Sequence, residues 1–340
     1  MQAIQVTEFG DSDTLEVVET DVPEPGPGEV RIEVRAAGIN FADIMQRRGH
    51  YHGGPEPPYV AGMEVAGVVD AVGEGSEERS SSGRASGQGP RADVGRSEGD
   101  EVVAMVDGGG YAEFAVADAQ GLFDIPEPMS FEEAAGFPVQ FLTAHNCLFE
   151  WGELEEGESV LIHAAAGGVG TAAVQLASNV GAHVIGTAST SEKLETASEL
   201  GCDVPINYTE EEFVARVKEE TDYGADLVLD GIGGETTEKS LDALKEFGRM
   251  VSYGAASGRP GRPPTDKLLF GNKTVKGYHL GRALARQPMS VLEAVPALTE
   301  QLASGALEVQ VGHTFPLAEA RAAHDAIENR ETSGKVVLVP

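Results

Sequence analysis

Ser159-Val160-Leu161-Ile162-His163-Ala164-Ala165-Ala166-Gly167-Gly168-Val169-Gly170-Thr171-Ala172-Ala173-Val174-Gln175-Leu176-Ala177 reads as a strand, a tight turn and a helix in immediate succession. The apolar run gives way to small residues and glycines, after which Val169, Ala173, Leu176 and Ala177 recur at helical spacing. A helix N-terminus stripped of side chains lets backbone N–H groups approach a pyrophosphate, whose charge the helix dipole favours. The same glycines can also serve only to pack helix closely on strand, so the surrounding pattern has to decide.

That pattern is a regular alternation. Ala182–Thr187 reads as a second strand, Ser191–Leu200 as a helix with Ser191 as its cap, and Val204–Tyr208 as a third strand. A helical stretch over Glu210–Glu220, a strand over Asp226–Asp230 and a helix over Glu235–Glu246 follow. Arg249–Gly254 and Thr274–Tyr278 supply a fifth and a sixth strand. Strands alternating with helices of this length predict a doubly wound parallel sheet of Rossmann type, with the ligand at the glycine turn after its first strand.

The end of the second strand bears on the cofactor. An NAD site usually carries an Asp or Glu there to hold the ribose 2′-hydroxyl. Here Gly186-Thr187-Ala188-Ser189-Thr190-Ser191 contains no acid, and Lys193, the first lysine of the chain, follows. A cation without a competing carboxylate suits a 2′-phosphate, which favours NADPH; a solvated helix lysine is the alternative reading of Lys193. Tyr208 can pack beside the adenosine end or be an ordinary half-buried strand tyrosine.

Before this region the texture changes. Val30–Ala36 alternates with period two, and Val65–Gly73, Glu101–Met105 and Tyr111–Val116 are further short strands among dense Gly and Pro turns. Such a pattern predicts a compact β-barrel-like domain. The Ser-, Gly- and Arg-rich stretch 77–98 has almost no large apolar residues and is expected to be a flexible surface loop. Ser130, followed by Glu132 and Glu133, reads as the cap and first turn of a helix.

The chain has 340 residues, which favours two domains over one core. No run of eighteen apolar residues and no basic-then-apolar leader is present, so neither membrane insertion nor a secretory signal is expected. Two cysteines, Cys147 and Cys202, cannot make a disulfide framework and fit a reducing cytoplasm. The 24 basic residues against 56 acidic ones give a net charge of −32, a surface that repels nucleic acid and anionic membranes. Such self-repulsion is tolerable where salt screens it, so a salt-accumulating, halophilic cytoplasm is expected.

Six ordered segments carry a family resemblance: Ala36–Asp43, Arg48–Tyr51, Gly62–Val69, Ser130–Ala135, Ala164–Gly170 and Gly334–Pro340. Together they resemble the zinc-independent quinone oxidoreductases of the medium-chain dehydrogenase/reductase superfamily, the group that contains ζ-crystallin, and within it the vesicle amine transport protein 1 branch. The resemblance implies a GroES-like catalytic domain from residues 1–140 and 282–340 around a Rossmann NADP-binding domain at 141–281. It implies a homodimer paired through the Rossmann sheets. The activity implied is NADPH-dependent reduction of a small quinone or α,β-unsaturated carbonyl substrate.

In the related zinc alcohol dehydrogenases a metal-binding Cys stands near the position of Asn40, and a Gly-His-Glu motif stands where this chain has Gly62-Met63-Glu64. Amide and thioether are poor zinc partners, so no metal is expected. The resemblance places Asn40, Tyr51 and Thr143 at the nicotinamide end, where an amide can donate to a carbonyl and a phenol can donate or relay a proton. Asn40 can alternatively be a turn residue, Tyr51 an aromatic cover, and Thr143 a hydroxyl bonded to its own helix. For the cofactor, Ala165, Gly167, Gly168, Val169 and Gly170 are matched to the pyrophosphate, and Ser189, Lys193 and Tyr208 to the 2′-phosphate end. Tyr253, Gly254 and Ala255 fall beside the cofactor cleft, Leu280 and Gly281 towards the nicotinamide, and Lys335 near the phosphates. Two other readings stay open: a cofactor-binding interaction protein without efficient turnover, and an alcohol dehydrogenase-like reductase of another carbonyl.

Overall fold

A computed structural model describes residues 1–74 and 95–340, which form two units, Met1–Pro138 with Val311–Pro340, and Val139–Gln310. Of the expected loop at 77–98, all but residues 95–98 lie outside the described residues.

In the first unit β1 (Gln2–Val6) pairs antiparallel with β2 (Leu15–Glu19). β3 (Glu29–Ile39) follows, with Val30, Ile32 and Val34 buried between more exposed Arg31, Glu33 and Arg35, as its period-two pattern requires. Helix α1 (Phe41–Arg47) leads to β4 (Tyr59–Val60), which pairs with β1, and to β5 (Glu64–Val72). Then come β6 (Glu101–Met105), β7 (Phe114–Asp118) and β8 (Leu122–Asp124). β7 starts later than expected, because Tyr111 turns inward and hands its backbone to Ile4 and Ala61 instead of a strand neighbour. Helix α2 (Phe131–Ala134) carries the expected cap: Glu133 N–H donates to Ser130 Oγ at 3.2 Å, and Ser130 N–H to Glu133 Oε2 at 2.7 Å.

The second unit opens with α3 (Pro138–His145), whose first residue closes the preceding segment. Its sheet comprises β9 (Ser159–His163), β10 (His183–Ala188), β11 (Val204–Asn207), β12 (Ala225–Asp230), β13 (Leu244–Ser252) and β14 (Thr274–Gly277). All pairings are parallel and the spatial order is β11-β10-β9-β12-β13-β14. Between the strands run α4 (Gly168–Asn179), α5 (Ser191–Glu199), α6 (Phe213–Glu220), α7 (Glu235–Ala243) and α8 (Thr265–Gly271). Leu161, Ile185, Val228 and Met250 from the strands pack with Phe213 and Leu241 from the helices. This is the expected doubly wound Rossmann sheet of six strands.

Boundaries differ in places, each for a local reason. Thr190 rather than Ser191 caps α5, since it keeps extended backbone and its hydroxyl accepts from Lys193 N–H. The helix expected from Glu210 starts at Phe213, because Asn207 Oδ1 captures Thr209 N–H at 3.1 Å and holds a turn.

After β14 the chain forms α9 (Leu280–Arg286), α10 (Pro288–Leu292) and α11 (Val295–Ser304). Residues 282–310, expected with the catalytic domain, fall in the second unit. Gln175 exchanges two hydrogen bonds with the backbone of Glu308, at 3.0 and 2.9 Å, and Leu298 and Leu302 are buried.

The chain then returns to the first unit as β15 (Val311–Pro316), α12 (Ala320–Glu328) and β16 (Lys335–Val339). β16 runs antiparallel to β3, with Val337 opposite Gly38 and Val336 opposite Ile39, completing a seven-stranded sheet. Both ends of the chain thus build one core, in which Ile4, Ile32, Val65 and Val102 pack with Val336 and Leu338.

Candidate functional site

The turn after β9 is shaped by close backbone approach. Ala164 takes a φ of 52°, and Gly167 N–H donates to its carbonyl at 2.8 Å. A Cβ on Gly170 would run into that same carbonyl, so only glycine lets α4 start there. Gly167 is the N-cap and offers no side chain, leaving the first turn of a twelve-residue helix bare. Ala165 N–H donates to Thr187 O at 3.0 Å, tying the turn to β10. The cradle of Ala165, Gly167, Gly168, Val169 and Gly170 thus lies beside β9 and β12, where the strand order reverses. Its bare N–H groups and helix dipole fit a dinucleotide pyrophosphate.

Along the sheet, Ser189 follows β10 directly and Lys193 sits half-buried in the first turn of α5. Tyr208 N–H donates to Ala188 O at 3.2 Å, which brings the exposed tyrosine to the same strand end. Ser189, Lys193 and Tyr208 are therefore neighbours in the fold.

On the other side of the turn, Asp230 is buried at the end of β12. Its Oδ1 accepts from the N–H groups of Ile232 at 2.9 Å and Gly233 at 3.0 Å, and its Oδ2 from the Thr237 hydroxyl at 2.5 Å. Tyr253 N–H donates to Asp230 O at 3.0 Å, and a Cβ on Gly231 would meet the Tyr253 ring. Asp230 thereby positions Tyr253, Gly254 and Ala255 at the ends of β12 and β13. The sequence reading missed it, although an acid closing an apolar strand just before a glycine loop was a usable signal. Leu280 begins α9, next to Gly281, with His279 Nδ1 accepting from Arg282 N–H at 3.3 Å. Thr143, also in the second unit, is buried in α3.

In the first unit the register of three strands gathers a polar cluster. β16 and β5 flank β3, which brings Lys335 and Glu64 to the end where Asn40 caps α1. Lys335 Nζ donates to Glu64 Oε2 at 2.5 Å and to Asn40 Oδ1 at 2.9 Å, and Asn40 Nδ2 donates to Glu64 Oε2 at 3.2 Å. Asn40 N–H donates to Asp43 Oδ2 at 2.7 Å, the acid three residues on being the pattern that pointed to this bond. Lys335, expected near the phosphates, thus has its ammonium held inside this cluster. Glu64 and Asp43 are further site-building residues, which the sequence motifs contained without marking them for the site. Tyr51 lies in the loop after α1, lining a cavity of about 430 Å³ with Gln46, His52 and Glu56.

The donor set at Asn40, Met63 and Glu64 does not suit zinc. Its one carboxylate is already neutralised by an ammonium, and Met63 Sδ accepts from Gln46 Nε2 at 3.1 Å. No group of three or more His, Cys, Asp or Glu able to hold a metal occurs among the described residues, nor a helix long and apolar enough to cross a membrane.

Comparison with known proteins agrees with this architecture. Residues 26–127 match the alcohol dehydrogenase GroES-like domain and residues 168–300 the family described as zinc-binding dehydrogenase. The chain is 35% identical to the 2-haloacrylate reductase of a Burkholderia species, covering 100% of this chain and 99% of that one. It is also 35% identical to the human synaptic vesicle membrane protein VAT-1 homolog, over 100% of this chain and 86% of the relative. Among solved structures, the Escherichia coli quinone oxidoreductase complexed with NADPH superposes with a TM-score of 0.89 at 33% identity, covering 100% of both chains.

Proposed function

This chain belongs to the quinone oxidoreductase and VAT-1-like family of the medium-chain dehydrogenase/reductase superfamily, and from that premise we propose that it is an NADPH-dependent reductase of quinones and α,β-unsaturated carbonyl compounds. The observation that carries the reading is the bare N-terminus of α4 beside a strand end that has no acid but has Lys193. Its relatives support it: one is named 2-haloacrylate reductase, and a quinone oxidoreductase of the same fold is complexed with NADPH.

Bound NADPH would supply a hydride from its nicotinamide. The N–H groups of Gly168, Val169 and Gly170 would bind the pyrophosphate, with Ser189, Lys193 and Tyr208 around the 2′-phosphate. Tyr253, Gly254, Ala255 and Leu280 would border the cofactor. The Asn40 amide donates a hydrogen bond to the substrate carbonyl, answering the charge that develops on its oxygen. Tyr51 delivers or relays the proton, and Thr143 adds a hydroxyl at the nicotinamide end.

The reaction in this reading needs no zinc, which the poor donor set at Asn40 and Met63 supports. A homodimer formed through β14, one of the two edge strands of the sheet, is part of the same proposal, as is a reducing cytoplasm suited to two buried free thiols. The test is steady-state oxidation of NADPH by phenanthrenequinone, benzoquinone and an enone in molar KCl, with and without EDTA. Turnover that survives EDTA is expected. Tight NADPH binding with no turnover on any acceptor would overturn the enzyme and leave a cofactor-binding interaction protein.

A further inference from the structure

The ion pair of Lys335 and Glu64 is sealed in the first unit, with side chains 2% and 0% exposed. Such a pair rarely stabilises more than an apolar pair of equal volume, because desolvation offsets the attraction. Its presence therefore asks for a purpose besides stability, and the neighbouring amide supplies one.

The two ends of the Asn40 carboxamide meet opposite charges. Its oxygen accepts from the Lys335 ammonium at 2.9 Å and its nitrogen donates to the Glu64 carboxylate at 3.2 Å. Flipping the amide would set NH₂ against the ammonium and oxygen against the carboxylate, repulsive at both ends. In a low-dielectric interior that discrimination is strong, whereas a free Asn turns easily about its last torsion. Gly38 keeps β3 bare where the pair passes, since a Cβ there would fall 2.6 Å from Lys335 Cε and 2.9 Å from Glu64 Oε2.

We infer that Glu64 and Lys335 are positioning residues that lock the Asn40 carboxamide in one orientation, so that its second Nδ2 hydrogen is presented to the oxygen of a quinone or enone carbonyl. Another acceptor near that nitrogen, Gly38 O at 3.5 Å, lies at the limit of hydrogen bonding and gives way to a substrate oxygen at ordinary distance. The inference rests on the reductase reading above.

The test is a cycle on the full chain in molar KCl, comparing wild type, Glu64→Met/Lys335→Met, Asn40→Ala and the triple variant. Replacing both charges together avoids leaving one of them buried alone. The pair variant should keep its melting temperature and bind NADPH within about twofold of wild type, yet lose about tenfold or more in kcat with phenanthrenequinone. In the Asn40→Ala background the same two substitutions should cost nothing further, because residues that act through one group are not additive. Unchanged kcat in the folded pair variant, or losses that multiply in the triple variant, overturns the inference and leaves the reductase reading intact. So does NADPH binding weakened about tenfold with kcat kept, which would assign Lys335 to the phosphates. If the pair variant does not fold, Glu64→Gln/Lys335→Gln is read by the same criteria. A wild-type chain that turns over no acceptor overturns both.

Discussion

Tyr111 donates its phenolic hydrogen to Asp43 Oδ2 at 3.1 Å, with both residues buried in the first unit. The same oxygen accepts Asn40 N–H at 2.7 Å, so this carboxyl joins the start of α1 to the interior. Behind Tyr111, His324 Nε2 lies 3.3 Å from its hydroxyl. Burial pushes Asp43 up to about 7; the Asn40 N–H, the Lys335 charge and the Tyr111 hydroxyl pull against it, and Glu64 adds to it.

The sign of the resulting pH dependence follows. A carboxyl that binds its proton more tightly folded than unfolded stabilises at low pH, and that contribution fades as pH rises from about 4 to about 7. His324, pulled down to about 3 chiefly by burial and also by Arg47, works in the opposite sense, its contribution fading as pH falls below about 6.5. Asp43→Asn removes only the first effect. Urea unfolding at several pH values should show the variant gaining on wild type by on the order of 1 kcal/mol per pH unit between about 4 and 7. Parallel stability curves would mean that Asp43 is ionised throughout.

Gly170→Ala tests the cradle. Its Cβ would press on the Ala164 carbonyl, a backbone atom that cannot swing aside. The variant should lose about 1–3 kcal/mol of stability and bind NADPH about tenfold or more weakly. Gly121→Ala, where a Cβ meets nothing within 4 Å, is the neutral control. Unaltered affinity in Gly170→Ala would detach the turn from the cofactor.

Lys193→Ala should weaken NADPH by about tenfold or more and NADH by less than about twofold, since only NADPH presents a 2′-phosphate to the ammonium. Isothermal titration with both cofactors decides it. Equal losses would return Lys193 to an ordinary helix-surface role.

The alternation from Ser159 to Tyr278 was legible because each buried parallel strand is a short apolar run and each helix has its own period. The polar clusters were harder to see. Lys335 lies 271 positions from Glu64, and only the antiparallel registers of β16 and β5 on β3 bring them together. No local pattern encodes those registers. Residues 282–310 group with the second unit for a related reason: Gln175, far back in α4, grips the backbone of Glu308. Asp43 was within reach, three residues after its cap, but its burial depends on Tyr111 from another part of the chain.

The net charge of −32 predicts a salt requirement. At about 0.1 M salt the Debye length is about 10 Å, so carboxylates repel across the surface; in molar salt it shrinks to about 3 Å. Melting temperature should therefore rise by about 10 °C or more between roughly 0.1 M and 3 M KCl. Equal melting in the two would remove the halophilic reading.

The last prediction concerns one of the two edges of the six-stranded sheet. β14 pairs only with β13, and an edge strand offers unpaired N–H and C=O groups to another chain. Just before it in α8, Leu269 and Phe270 are 71% and 81% exposed, an apolar pair that a soluble monomer has little reason to display. Two such edges joined about a two-fold axis would pair the strands and cover both residues at once. Sedimentation in molar KCl should give twice the 35.6 kDa chain mass. Phe270→Glu sets a charge against its own symmetry mate or its neighbours, so it should shift the species to monomer at micromolar concentration while NADPH binding persists. A wild-type chain that sediments as a monomer would discard the sheet-edge dimer and leave the exposed pair without a partner.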